Sequence, residues 1–503
     1  MYRKLTTIAF YVLLAGAGYF IALKIFNVPR QIEAVAIFAI ALCYPIAKNP
    51  LLGMYAFFIT LPFVTLIRRL YYLLYGRPAM DPLIMAGEFL ILIMMVGLFF
   101  ELRLRRDKDE DIRFYKTMVL IYFVYLVSRV FIYNDCGLEL AVARFKFYGP
   151  AVLLFFIGII YAPRVFHLKS LWAITAIIGI ITALYGFKQL YWGFSRAENI
   201  WLSSIDFSTL YIKDIIRPFS TFQSPAAFAD YMVLGAISLL MFWSWKKGAL
   251  RIAIVVLVPV FFYAVLMTSV RSDWIGFIAV LLFWFTFSKV KGMKQRIWTL
   301  VAIGVCYVLI SFAVDTLGAG MGVDQLSDLS NTRSDHQRYM EALVTNRAAA
   351  ITDPLEEHSM LSRVAVWRHL FAYSVDPLLM LVGRGVGAFN ADSLYVTYLA
   401  EFGYPGFFFI IFLLGSLIYK GMKIMDSVRN PDLSALARGI TVFNLAFAII
   451  SITGSHLHSF PGDAFFWFFN GVMIKLPAVD KLLEQEAQTE VFPDKKLRVR
   501  GMR

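Results

Sequence analysis

The sequence predicts an all-α fold: a polytopic membrane bundle of about 14 transmembrane helices with a large helical loop on its outer side. Three observations carry this. Of the 503 residues, 60% are hydrophobic and 16% charged, against about 45–50% and about 25% in soluble domains. Apolar stretches of the roughly 17–25 residues that cross a bilayer as helix recur along the whole length. One long hydrophilic insertion, residues 315–393, interrupts them, and it holds six arginines and three histidines but no lysine.

Taken in order, the expected spans lie near residues 5–23, 32–47, 51–67, 82–100, 115–133, 147–162 and 170–190. Seven more lie near 224–244, 250–268, 273–288, 297–314, 394–419, 437–453 and 463–475. The first reads as a retained span, because no small-residue cleavage pattern separates it from the second. Gly403-Tyr404-Pro405-Gly406 is expected to break the twelfth span into halves, since proline removes a helix donor and clashes with the preceding turn. With the N-terminus inside, the inner loops hold the larger share of lysine and arginine, as membrane orientation requires. An even number of spans puts both termini on that side.

The whole chain, 1–503, therefore reads as one integral membrane domain with 315–393 as its outer loop and 476–503 as a basic cytoplasmic tail. Within the loop, 335–350 and 359–373 carry apolar residues at helical spacing and predict short amphipathic helices. The net charge of +14 is the inner-loop bias meeting anionic lipid rather than a nucleic-acid footprint. Cys43, Cys136 and Cys306 are far apart, with neither disulfide nor zinc spacing. Asp107 and Asp109, in the mixed-charge strip Arg103–Arg113, have the spacing some metal-dependent glycosyltransferases use. On the inner side they read as a solvated turn.

The chemistry concentrates on the opposite face. Arg217, in Arg217-Pro218-Phe219-Ser220-Thr221-Phe222-Gln223-Ser224-Pro225, precedes a span on the outer side. Arg271, in Thr268-Ser269-Val270-Arg271-Ser272-Asp273-Trp274, occupies a tight outer turn between two spans. Arginine offers a planar fork that grips phosphate with two parallel hydrogen bonds and never loses its charge. Asp230, Glu401, Arg129 and Glu88 are charged groups within spans and read as structural pairs. Asp392 stands where the insertion re-enters the membrane, and His456 and His458 occupy the last outer turn, where solvated loop residues are expected. A carboxylate or imidazole there could take a proton from a sugar hydroxyl.

Four segments stand in order: Arg217–Pro225 before a span, the Thr268–Trp274 turn, Arg363-Val364-Ala365-Val366-Trp367, and a run from Pro377 through Gly383-Arg384-Gly385-Val386-Gly387 and Asp392-Ser393-Leu394-Tyr395 to Glu401-Phe402-Gly403-Tyr404-Pro405-Gly406. In this order they resemble the O-antigen ligase and Wzy-type polysaccharide polymerase superfamily. The match covers about residues 200–420. The resemblance implies a GT-C-like bundle in a bacterial inner membrane with its site on the periplasmic face. It implies an inverting glycosyltransferase that needs neither metal nor cofactor. A polyprenyl-pyrophosphate-linked glycan is the donor and another glycan the acceptor, with membrane lipid and a chain-length regulator as further partners. Arg217, Arg271 and Arg363 would hold the pyrophosphate, and Asp392, or His458 in its place, would be the base. Ligases of lipopolysaccharide commonly have a histidine near Asp392, so the carboxylate here favours a polymerase of exopolysaccharide type. A flippase or exporter of lipid-linked sugars is the alternative from a different class.

Overall fold

The computed structural model describes residues 45–77, 81–102, 109–132, 134–204, 210–212, 215–245, 248–287, 301, 304, 365–368, 377–389, 392–458 and 461–491. Arg363, most of the 315–393 insertion, the expected span near 5–23 and most of those near 32–47 and 297–314 lie outside these residues. Among the described residues, eight helical stretches are long and apolar enough to cross a membrane. The chain forms two compact units, Met1–Arg106 and Asp107–Arg503.

In the first unit, α1 (Pro50–Thr60) and α2 (Val64–Tyr75) are joined by a 3-10 turn, Leu61–Phe63. α3 (Ala86–Leu102) packs on α1 through Gly53, where a Cβ would lie 2.7 Å from the Met94 side chain. Asp81 accepts hydrogen bonds from Arg68 Nε at 2.5 Å and Tyr72 Oη at 3.0 Å. It also caps the turn before α3 through the Leu83 amide.

The second unit runs through α4 (Glu110–Phe131), α5 (Leu138–Phe145), α6 (Gly149–Val152), α7 (Leu154–Tyr161), α8 (Val165–Trp192) and α9 (Arg196–Ser204). A two-rung hairpin comes next, β1 (Tyr211–Ile212) against β2 (Ile215–Ile216), antiparallel. Then come α10 (Pro225–Trp245), α11 (Ala249–Met267) and α12 (Arg271–Thr286). The chain continues with α13 (Pro377–Val382), α14 (Leu394–Ser427), α15 (Pro431–Ile450) and α16 (Gly462–Val491). α16 continues well past the span expected at 463–475, so the first part of the expected tail is helical.

α10 and α15 form the centre: 83% of the most apolar window of each is buried, against half or less in the other candidate spans. A helix that is apolar on every side belongs inside a bundle. α16 approaches α7 through a reciprocal pair of glycines. A Cβ on Gly158 would lie 2.1 Å from the Phe468 carbonyl oxygen, and one on Gly471 would lie 2.0 Å from that of Phe155. Small residues let membrane helices meet backbone to backbone, where apolar side chains alone give little preference for protein over lipid. Asn444 and Asn470 exchange amide hydrogen bonds at 2.7 and 2.9 Å between α15 and α16. Trp172 of α8 stacks on Phe469 at 4.0 Å.

The expected break in the twelfth span is present inside α14, where Gly403 adopts φ 65° and ψ −167°. Pro405 has no N–H for the Glu401 carbonyl, and the Gly403 backbone leaves the helical region beside it. Buried carbonyls need partners, and a neighbouring loop supplies them. Arg384 N donates to Ala400 O at 2.9 Å and Gly385 N to Glu401 O at 3.0 Å. Tyr125 Oη donates to Phe402 O at 2.9 Å. The glycines of Gly383-Arg384-Gly385-Val386-Gly387 have a specific use here: a Cβ on Gly383 would lie 2.5 Å from the Glu401 backbone.

Candidate functional site

The segment before α10 carries Arg217 and is held from below by a buried polar relay. Gln189, in the last turn of α8, accepts hydrogen bonds from Phe219 N at 3.0 Å and Ser220 N at 2.7 Å. Its amide donates to Ser220 O at 3.1 Å and to Glu198 of α9. Ser220 Oγ donates to the Thr182 carbonyl at 2.6 Å. Burial alone would push the Glu198 carboxyl up. Hydrogen bonds from Gln189 and Ser195, together with the charge of Lys188, outweigh it and leave its pKa below the ordinary value. The carboxylate thus stays ionised as an acceptor.

The turn carrying Arg271 is as tight as the sequence predicts, three residues between α11 and α12. Thr268 Oγ1 donates to the Val265 carbonyl at 2.6 Å and accepts from Val270 N at 3.3 Å. Arg217 Nη1 lies 3.5 Å from the Thr268 carbonyl oxygen. The two arginine-bearing segments, 51 residues apart in sequence between Arg217 and Thr268, therefore meet.

Among the described residues, the non-glycine residues with positive φ are Ser220 (50°) and Ser269 (57°). One lies three residues after Arg217 and the other two residues before Arg271. Left-handed backbone costs an L-residue roughly 1–2 kcal/mol, and such outliers persist where surrounding structure over-determines them, commonly at functional sites.

Immediately beneath lies a cluster that the sequence does not assemble. Asp230 from the second turn of α10, Asp273 from the first turn of α12 and His456 from the 3-10 turn His456–His458 each offer a ligand atom, all within 4.8 Å of one another. His456 Nδ1 is 2.9 Å from Asp230 Oδ2, and Ser272 Oγ donates to Asp273 Oδ2 at 3.2 Å. Burial alone would lower the His456 pKa; Asp230, through its charge and hydrogen bond, and Asp273 outweigh that and take it up to about 9.

A scan of protein-family profiles returned no match, and a search of curated proteins returned none.

The second histidine faces another cluster. The His458 ring sits 3.8 Å from that of Tyr148 and 5.5 Å from that of Tyr398, centroid to centroid. Its Nε2 is buried without a partner among the described residues, and burial pushes its pKa down to about 3. Tyr398 also hydrogen-bonds Tyr122. Tyr148 donates to Glu401 Oε2 at 2.5 Å, and Glu401 Oε1 accepts from Gly387 N at 2.9 Å and Phe389 N at 3.4 Å. The two histidines are therefore not solvated loop residues as expected; one is an ion-pair partner and the other is packed among aromatic rings.

Asp392 is exposed, one residue before Ser393, which caps α14 through the Val396 amide. This junction is tied to the last turn. Leu394 N donates to Ser451 O at 3.0 Å and Gly454 O at 3.2 Å, and Thr397 Oγ1 lies 3.2 Å from Ser455 Oγ. The structure thus joins the Arg217 and Arg271 segments to each other, and the Asp392 junction to the histidine turn. Sequence reasoning missed Gln189, Glu198 and the Asp230–His456–Asp273 contact. Their signal was limited to polar residues in or beside apolar spans.

Proposed function

We propose that this protein is a membrane-embedded glycan polymerase of the O-antigen ligase and Wzy type. In this reading it lies in a bacterial inner membrane as a 14-span, GT-C-like bundle with its site on the outer face. It transfers a polyprenyl-pyrophosphate-linked oligosaccharide to the hydroxyl of a second lipid-linked glycan. The observation carrying the reading is the meeting of two strained, separately anchored segments that each present an arginine.

The acceptor oxygen attacks the anomeric carbon as the bond to the pyrophosphate oxygen breaks, and the electron pair leaves with the polyprenyl pyrophosphate. Attack from the opposite face inverts the centre. Negative charge grows on the diphosphate, and preplaced guanidinium groups from Arg217 and Arg271 stabilise it, commonly the largest contribution to such a barrier. Arg363 is assigned to the same donor from the insertion. The hydroxyl proton passes to Asp392, which is exposed just before the start of α14. His458 is the weaker alternative, because its depressed pKa makes the imidazole a poor proton acceptor near neutral pH. A ligase would use the same donor chemistry with a lipid A core as acceptor.

A carrier of lipid-linked sugars is the second reading. It is favoured by the buried Asp230–His456 pair, since ionisable groups within membrane spans commonly serve proton relays. One assay separates the three. Purified protein is given a polyprenyl-pyrophosphate oligosaccharide and the products are sized on a gel. A ladder that disappears in Arg217→Lys supports the polymerase. A single new band on a lipid A acceptor supports the ligase, and unchanged substrate supports the carrier.

A further inference from the structure

Asp230, Asp273 and His456 are 7%, 0% and 3% exposed, and they come from three separate elements of the bundle. Asp230 Oδ1 and Asp273 Oδ1 are both buried with no hydrogen-bond partner among the described residues. A buried carboxylate oxygen with nothing to accept from is costly, and buried charges are ordinarily paired or bound to a metal. Two carboxyl groups here share one imidazole, all three ligand atoms lying within 4.8 Å of one another, so the two carboxyl groups need a proton or a cation between them.

We propose that Asp230, Asp273 and His456 bind a single divalent metal ion of the Zn2+ or Mn2+ class. The donor set argues for that class. Two carboxylates and an imidazole suit borderline ions, whereas Mg2+ and Ca2+ prefer oxygen-only shells and Cu+ prefers sulfur. Three protein ligands leave at least one coordination position open, as in zinc sites that also hold water or a substrate atom. The Ser272 hydroxyl on Asp273 Oδ2 is an outer partner of the kind that orients a ligating carboxylate. The ion would tie the starts of α10 and α12 to the last turn. The assignment departs from the metal-free site expected from the sequence and does not rest on the transferase reading.

The rival occupant is a proton, shared between the two carboxylates beside a charged imidazole. Full-length protein, purified in detergent, is incubated with Zn2+, desalted, and its metal content measured by mass spectrometry. In parallel, Mn2+ binding is followed by electron paramagnetic resonance with Zn2+ as competitor. The expected result is one ion per chain in the wild type, displacement of Mn2+ by Zn2+, and loss of both signals in Asp273→Asn. Asp392→Asn should bind as the wild type does. Monodisperse wild-type protein that retains no ion, or Asp273→Asn that retains the full complement, overturns the proposal. Should Asp273→Asn not fold, His456→Gln is the second variant, and the wild-type metal content decides by itself. Activity in the glycan assay plays no part in this test, so its failure and a failure of the transferase reading remain separate.

Discussion

Glu401 and Asp273 are equally buried carboxylates, both 0% exposed, on helices served by the same short histidine turn, yet their surroundings are opposite. Glu401 accepts from a tyrosine hydroxyl and two backbone amides. Asp273 has a serine hydroxyl on one oxygen and nothing on the other among the described residues. The saturated carboxylate fastens the glycine-rich loop to the kinked α14. The undersaturated one keeps coordination capacity in reserve. Burial alone therefore does not separate scaffold from site; the state of the lone pairs does.

The sharpest way to break this comparison is to neutralise both. Glu401→Leu strands two buried N–H groups and the Tyr148 hydroxyl. At about 1–3 kcal/mol for each unsatisfied donor, the loss should total about 3 kcal/mol or more. It is measured as the denaturation midpoint in detergent. Asp273→Asn in metal-free protein should change stability by less than about 1 kcal/mol, since the amide oxygen can still accept from the Ser272 hydroxyl and no other donor is orphaned. Equal losses would erase the distinction. Gly403→Ala should rank next. A Cβ there would lie 2.6 Å from the Met380 carbonyl oxygen at φ 65°, so a cost of about 2 kcal/mol is expected, again read from the midpoint.

Gln189→Ala sharpens the contrast from the scaffold side. It removes the acceptor of the Phe219 and Ser220 amides, loosening the Arg217 segment without touching the guanidinium. Polymer formation should fall on the order of tenfold to a hundredfold, as misplacement by about an ångström commonly produces. Membrane levels of the protein should stay near those of the wild type. The smallest effect is a pH dependence. Glu198 has its folded pKa below the unfolded value. Its contribution is present above the unfolded value of about 4.3 and is lost as pH falls through the folded one. Glu198→Gln should flatten the acid limb of the stability profile, and an unchanged limb would remove Glu198 from the relay.

The helical membrane class was legible because composition and span length are global signals that no single contact can override. Gly403 and Pro405 announced their kink because both act through backbone geometry. Arg217 and Arg271 were legible as loop residues at span ends. That their segments touch was not, since the 3.5 Å approach to Thr268 depends on how α8 to α12 pack. His456 and His458 looked like solvated turn residues because the turn is short and polar. What sequence could not supply was the neighbouring α10, α12 and aromatic side chains that enclose them. Gln189 and Glu198 resembled ordinary polar punctuation at the end of a span. Their role appears only once the Ser220 backbone folds back over α8.

The measurement that tests the central claim most directly is binding of farnesyl pyrophosphate, a short isoprenyl diphosphate, to the purified wild type, Arg217→Lys, Arg271→Lys and the double variant. If both guanidinium groups grip one diphosphate, each single change should weaken binding about tenfold or more, equivalent to roughly 1.4 kcal/mol. The two effects should also be non-additive, as for residues sharing one ligand. Unchanged affinity in both single variants would contradict the account.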